Sequence, residues 1–182
     1  AGAGMNDAEC IGDGSYLVTD GGAVHGLYIP SSAESGLQLN RGFTLPVGGN
    51  ADFPATVEIV AHENAATRMA SMDAFAGTGA QFLPDQTFGD TLTLFEGHDQ
   101  IDLYHFGAGH TDGDTVVVFP ALGTAHMGDL FAFLAPPYID VANGGSGVAY
   151  PDTLDQILAS IDGVRRVIPG HIPPPPGSPM RG

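Results

Sequence analysis

The chain has 182 residues, 43% of them hydrophobic, which suits one domain with a substantial core. It carries 21 acidic residues against 5 arginines and no lysine, for a formal net charge of −16. A field of that sign repels phosphate backbones and anionic lipids, so we expect neither nucleic acid nor a membrane as partner. The excess of Asp over Glu and the absence of lysine also indicate a high-salt habitat, where screening softens self-repulsion, and a high-GC genome is an alternative source of part of this bias.

Three further features of the composition limit the possibilities. Cys10 is the single cysteine, so the chain forms no internal disulfide. The apolar stretches, such as 115–122, are far shorter than the roughly 20 residues that a spanning helix needs. The first 13 residues lack the pattern of a signal peptide, and we therefore expect a cytoplasmic protein.

Short apolar runs separated by Gly, Asp and Asn predict strands joined by tight turns. The predicted strands are Ser15–Thr19, Val57–Ala61, Thr91–Phe95, Ile101–Phe106, Thr115–Phe119, Thr124–Met127 and Arg166–Ile168. Residues 26–46 show neither strand nor helix periodicity and predict a loop with at most a short strand.

Two segments have helical spacing of apolar residues. The first is Asn64–Phe75, whose core face is predicted to hold Met69, Met72 and Phe75, and the second is Pro151–Ile161. Strands with interspersed helices predict a layered α/β domain. We place this single domain at residues 1–171, because the four consecutive prolines within 172–182 predict an extended tail.

Three segments that are distant in sequence share one pattern. In each, a predicted strand is followed by a turn of small residues, and the turn carries a side chain that can bind a metal. The segments are 103–114 with His110, 125–129 with Asp129, and 167–171 with His171. Gly107 and Gly109 allow the sharp turn that presents His110. Two imidazoles and one carboxylate are a ligand set that zinc accepts in hydrolytic sites, with a fourth position left for water.

The order and spacing of these motifs resemble the later metal-binding motifs of the metallo-β-lactamase superfamily. The motifs are Gly-His-Thr-Asp-Gly-Asp at 109–114, Met-Gly-Asp at 127–129 and Ile-Pro-Gly-His at 168–171, and the stretches 60–64 and 138–145 also resemble hydrolases of this group. The resemblance covers about residues 47–171 and implies an αββα fold. It also implies that His110 binds the first metal, His171 the second, and that Asp129 bridges them.

One motif of the family is absent. A His-x-His-x-Asp-His motif is expected directly before the turn Val47-Gly-Gly-Asn50, where the chain instead has Arg41, Phe43, Leu45 and Pro46. None of these four side chains replaces a neutral imidazole or a carboxylate as a ligand. The N-terminal half is therefore predicted to be abridged or substituted relative to the family.

The leading prediction is a metal-dependent hydrolase acting on an ester, lactone, thioester or amide (lactam) bond of a small molecule. Its reduced site holds one divalent metal, zinc, iron or manganese, on His110, Asp129 and His171, and His110 and Asp129 are the predicted catalytic residues. Because this set is incomplete, a fourth ligand is sought among His25, His105 and His126. Loss of the N-terminal strand layer also predicts a homodimer.

Two other functions stay open. The first is a non-enzymatic binding or scaffold protein of the same fold that binds no metal. The second is a metal-independent hydrolase using Ser15 or Ser146, which ranks last because the chain has no supported nucleophile-elbow motif.

Several polar side chains have simpler roles as alternatives to metal binding. His62 is predicted to cap a helix, His98 to be exposed, and His105 to pack in the core or against the opposite layer. Asp112 and Asp114 are predicted to accept backbone N–H groups in their turn.

Overall fold

The protein is described from a computed structural model. It gives the backbone of residues 8–12, 15–20 and 23–28, and residues 58–131 and 136–170 with their side chains. Residues 29–57, which include the segment expected to carry the missing motif, lie outside the described residues, as do His171 and the tail.

An antiparallel meander forms the N-terminal sheet. Its strands are β1 (Ala8–Gly12), β2 (Ser15–Asp20) and β3 (Ala23–Tyr28), in that order. The prediction of a strand at Ser15–Thr19 is confirmed. The neighbouring strands were not predicted, because Gly, Glu and His interrupt their apolar pattern.

The main sheet has five strands in the order β10–β9–β8–β7–β6. They are β6 (Thr91–Leu94), β7 (Ile101–Tyr104), β8 (Val116–Phe119), β9 (Thr124–His126) and β10 (Arg166–Ile168). Strands β6 to β9 pair antiparallel, and β10 joins β9 in parallel. All five were predicted, with ends that differ by up to two residues.

Both faces of this sheet are buried at its central strand, β8. Val117 and Phe119 of β8 pack in one apolar cluster, whereas Val116 and Val118 pack in another on the opposite face. This arrangement follows from the alternation of side chains along a strand, and it explains why β8 is apolar at every position.

Each face is covered by a different layer. Helix α2 (Tyr150–Ser160) covers one face through Ile157. The other face packs against Val60 of β4 (Val60–His62) and Phe88 of β5 (Gln86–Phe88), two parallel paired strands that lie outside the main sheet. Strand β5 was not predicted, since three residues with one buried side chain carry no detectable period.

Helix α1 (Glu63–Ala70) is shorter than predicted. The prediction of a continuous helix to Phe75 is wrong, because Ser71 caps the end and Met72 has an extended backbone before a 3₁₀ turn at Asp73–Phe75. Met69 and Phe75 nevertheless share one apolar cluster with Met72 at its edge, so the predicted core face is confirmed.

The second helix begins and ends within one residue of its prediction, at Tyr150 and Ser160. Pro151 lies in its first turn, where a missing N–H costs nothing. Across the described part of the chain, no helix combines the length and apolarity needed to span a bilayer.

Candidate functional site

His110 lies in a turn between β7 and β8, where Gly109 packs closely against neighbouring side chains. A Cβ built on Gly109 would collide with Leu130 and lie 3.0 Å from an Asp114 carboxylate oxygen. The missing side chain therefore lets the backbone turn between these groups and brings His110 into the interior, where its exposure is 3%.

The hydrogen bonding of His110 fixes its tautomer. Its Nδ1 lies 2.8 Å from the carbonyl oxygen of Tyr138, and a carbonyl can only accept, so Nδ1 carries a proton. In a neutral ring, Nε2 then has a lone pair available to a ligand or a proton.

Nε2 of His110 faces the carboxylate of Asp129, with 3.3 Å between Nε2 and Oδ2. Asp129 lies in the 3₁₀ turn Gly128–Phe131 that follows β9, and both side chains are buried. Two of the three predicted ligands, from segments 19 residues apart, are thus neighbours. An imidazole lone pair and a carboxylate oxygen at this distance repel unless a proton or a cation lies between them.

The third predicted ligand, His171, lies outside the described residues, but the residue before it does not. Gly170 donates its N–H to the carbonyl oxygens of Gly128 and Phe131, at 3.1 and 3.0 Å. A Cβ on Gly170 would be 2.7 Å from Asp129 Oδ1. The chain therefore passes directly beside Asp129 immediately before position 171.

A second carboxylate, that of Asp114, interacts electrostatically with both members of this pair. Asp114 is buried and accepts hydrogen bonds from the backbone N–H of Thr111, at 3.1 Å, and from its hydroxyl, at 2.6 Å. Burial raises the pKa of Asp114 to about 7, although the Thr111 bonds and nearby His110 act in the opposite direction. Its role as acceptor of a backbone N–H is confirmed.

Asp112 was also predicted to accept a backbone N–H, and that prediction is wrong for its carboxylate. The acceptor oxygens instead bind the Arg68 guanidinium, with Nε to Oδ1 at 3.0 Å. Arg68 projects from α1, so the pair joins that helix to the His110 turn. No sequence pattern predicts this contact, because 44 residues separate the partners.

The remaining histidines have distinct surroundings. His126, a candidate fourth ligand, is 1% exposed, and burial lowers its pKa to about 4 despite the nearby Asp129 carboxylate. His98 is exposed, as predicted. For His25 the structure describes only the backbone, within β3.

His62 caps α1 as predicted, since its Nδ1 accepts the N–H of Asn64 at 3.3 Å. His105, another candidate ligand, stacks on it with ring centroids 3.9 Å apart and donates from Nδ1 to the Asp114 carbonyl oxygen. The half-buried His105 ring thus packs against the β4–α1 layer. Burial and the neighbouring His105 together lower the pKa of His62 to about 4.

Within residues 58–131 and 136–170, no three His, Cys, Asp or Glu side chains gather in an arrangement that could hold a metal ion. The described part of the predicted site is therefore the His110–Asp129 pair. Sequence reasoning missed the Tyr138 carbonyl that orients His110, because a backbone acceptor leaves no trace in residue type.

The protein is a mixed α/β sandwich with a histidine and an aspartate in turns that follow its strands. Comparison with solved structures shows which fold class this architecture belongs to. The chain superposes on the DIM-1 metallo-β-lactamase with a TM-score of 0.61 and 18% identity, covering 87% of this chain and 77% of that one. The metallo-β-lactamase from Pontibacter korlensis gives a TM-score of 0.57 and 19% identity, covering 92% and 91%. The chain has the metallo-β-lactamase fold.

Sequence comparison agrees with this assignment. Over 89 residues the chain is 28% identical to the type 2 metallo-β-lactamase of Bacteroides fragilis, a match that covers 49% of this chain and 36% of that protein. No family model matches the chain. The predicted resemblance to the metallo-β-lactamase superfamily is confirmed, while the chain spans only about a third of this curated relative.

Proposed function

We propose that the protein is a metal-dependent hydrolase that cleaves an ester, lactone, thioester or amide bond of a small molecule. The observation that carries this proposal is the buried approach of His110 Nε2 to Asp129 Oδ2 at 3.3 Å. The relatives named above support the superfamily, and the bond that is cleaved and the catalytic roles are part of the proposal.

The two described donors fit one divalent ion. Zinc binds imidazole nitrogen and carboxylate oxygen at roughly 2.0–2.2 Å, so two ligands of one ion lie about 3.0–3.4 Å apart. The observed separation falls in that range. The Tyr138 carbonyl supplies the outer hydrogen bond that a metal-binding histidine ordinarily makes. His171, which follows Gly170 in the chain, is the proposed third ligand.

Each residue then has a defined task. His110 is the neutral ligand that Tyr138 keeps in the correct tautomer, and Asp129 supplies the negative charge and accepts a proton from the attacking water. Zinc at this point would provide a Lewis acid and lower the pKa of its water toward ~7. Asp114, which is held by a hydrogen bond from Thr111, contributes to the electrostatic potential at His110 and Asp129.

The direct test is metal binding by purified protein and by three alanine variants. We expect the unsubstituted chain to bind about one equivalent of zinc, iron or manganese, and His110→Ala and Asp129→Ala to lose both metal and turnover of a panel of ester, lactone, thioester and lactam substrates. His98→Ala is the matched control, because that histidine is exposed and should leave both unchanged. Absence of metal above trace from the supplemented chain would refute the proposal.

A second candidate is a scaffold protein of the same fold without chemistry. The observation in its favour is the occupation of the four expected ligand positions by Arg41, Phe43, Leu45 and Pro46. The same experiment separates the two candidates, since turnover that survives in His110→Ala would exclude the metal mechanism and turnover lost there would exclude the scaffold.

A further inference from the structure

One loop closes directly over the turn that carries His110. The 138–146 loop runs from Tyr138 to Ser146 through a 3₁₀ turn at Val141–Asn143. In the described part of the chain it makes four hydrogen bonds with residues 109–112. These are His110 Nδ1 to Tyr138 O at 2.8 Å, Asp140 N to His110 O at 2.8 Å, Asp112 N to Asn143 O at 3.2 Å and Ser146 N to Gly109 O at 3.0 Å.

The loop is held in this shape from within by Asp140, which is 1% exposed. Its carboxylate accepts the backbone N–H of Asn143 at 3.2 Å and a side-chain N–H of the same residue. Its carbonyl oxygen accepts the N–H of Gly145 at 2.8 Å. A buried carboxylate is costly unless it is satisfied in this way, so Asp140 and Asn143 stabilise one conformation of the loop.

The loop also rests on the ion pair between Arg68 and Asp112. A Cβ on Gly144, whose φ is +79°, would collide with the Asp112 carboxylate and lie 2.6 Å from an Arg68 nitrogen. A Cβ on Gly145 would collide with the carbonyl oxygen of His110 itself. The two glycines thus allow the loop backbone to pack directly on the His110 turn.

We propose that the 138–146 loop positions His110, with Asp140 and Asn143 as positioning residues that keep the Tyr138 carbonyl against Nδ1 and so keep Nε2 facing Asp129. The physical reason is that an imidazole has two nitrogens and exchanges its proton between them in water. A fixed carbonyl at Nδ1 removes that choice. The loop group that contacts Nδ1 is a backbone carbonyl, which orients the ring through the nitrogen that does not face Asp129.

This inference rests on the proposed function for its purpose, but its central claim concerns the tautomer of His110 and can be measured without metal. The test is Gly145→Ala, which pushes a methyl group into the His110 carbonyl. Gly147→Ala is the matched control. It makes the same change two residues away, where the built Cβ would have only an ordinary 3.7 Å contact with Ile139.

The first readout is nitrogen-15 NMR of the His110 ring in metal-free protein. We expect Nδ1 to be the protonated nitrogen in the unsubstituted chain and in Gly147→Ala, and the proton to distribute over both nitrogens in Gly145→Ala. The second readout is zinc affinity by chelator competition, for which we expect Gly145→Ala to be weaker by roughly 10–100-fold, the ordinary effect of losing an outer hydrogen bond to a ligand.

Asn143→Ala provides a second route should Gly145→Ala not fold, as judged by circular dichroism. It removes the side-chain bond to Asp140 and is expected to shift the tautomer in the same direction. A His110 ring that keeps its Nδ1 proton unchanged in every folded loop variant would overturn the inference. A tautomer shift in a protein whose unsubstituted form binds no zinc would uphold the positioning role and refute the proposed function instead.

Discussion

In the histidines His62 and His126, burial changes the side-chain pKa more than any charged neighbour does. His62 and His126 are both buried, and the pKa of each is lowered to about 4. His62 shows the structural reason, because its Nδ1 accepts the Asn64 N–H that begins α1. A proton on that nitrogen would break the cap and place a charge against the stacked His105.

Lowered pKa values predict a loss of stability on acidification. A histidine with pKa 6.5 when unfolded and about 4 when folded contributes stability that is fully present above pH 6.5 and is lost as the pH falls through about 4. Asp114 has the opposite effect on stability. Its pKa is raised from 3.8 to about 7, so the stability that it contributes is fully present below pH 3.8 and is lost as the pH rises through about 7.

A variant isolates the contribution of His62. We expect His62→Asn, which retains a capping acceptor but does not titrate, to lose less unfolding free energy than the unsubstituted chain between pH 7.5 and 4.5. Urea unfolding at several pH values measures the difference. His98→Asn changes an exposed histidine and should retain the original pH dependence, and identical slopes for all three proteins would contradict the assignment.

At the scale of elements, α2 both covers the main sheet and supports the His110 turn. Thr153 is 2% exposed, and its hydroxyl donates to the Ala108 carbonyl oxygen at 2.8 Å. Tyr150 of the same helix donates to the carbonyl of Leu130, beside Asp129. The helix therefore links the turns that carry the two described candidate site residues.

Removal of the Thr153 hydroxyl should loosen this link. We expect Thr153→Val to lower the unfolding free energy by about 1–2 kcal/mol, because the Ala108 carbonyl loses its donor and the volume is conserved. Thr67→Val is the control, since that exposed threonine bonds only to Glu63 of its own helix and should cost under about 0.5 kcal/mol. Equal losses in urea unfolding would show that the α2 contact is not stabilising.

The elements that the sequence predicted well share one property. Strands β6 to β9 and helix α2 have runs or periods of apolar residues, and packing against the apolar clusters on one or both faces imposes those patterns. By contrast, α1 ended early at Ser71, where a local cap overrode an apolar period that continues to Phe75. Strand β5 has three residues, too few for a period, and is recruited by pairing with β4.

At the scale of the whole molecule, the net charge of −16 dominates the electrostatics. Self-repulsion of that size destabilises the compact state and weakens as salt shortens the Debye length from about 10 Å at 0.1 M to about 3 Å at 1 M. The high-salt habitat and the homodimer remain predictions, and the first of them concerns how this charge is accommodated.

Salt should therefore stabilise the protein. We expect Tm to rise between low salt and about 1 M salt, by roughly 2–4 °C for each kcal/mol of repulsion relieved. NaCl and KCl should give the same rise, because screening depends on ionic strength and not on the cation. A Tm that is flat or falls in calorimetry over this range would show that repulsion between acidic residues does not destabilise the protein. Light scattering on the same samples tests the predicted homodimer.

The sequence by itself determined the strands of the main sheet and the second helix, indicated the resemblance to the metallo-β-lactamase superfamily, and singled out His110 and Asp129 as candidate site residues, because apolar periods and ordered motifs are local in the chain. Only the tertiary structure decided that Nε2 of His110 faces Asp129 and that the Tyr138 carbonyl holds its other nitrogen. It also decided that Arg68 binds Asp112. These are contacts between residues distant in the chain, and their geometry depends on packing that no residue pattern encodes.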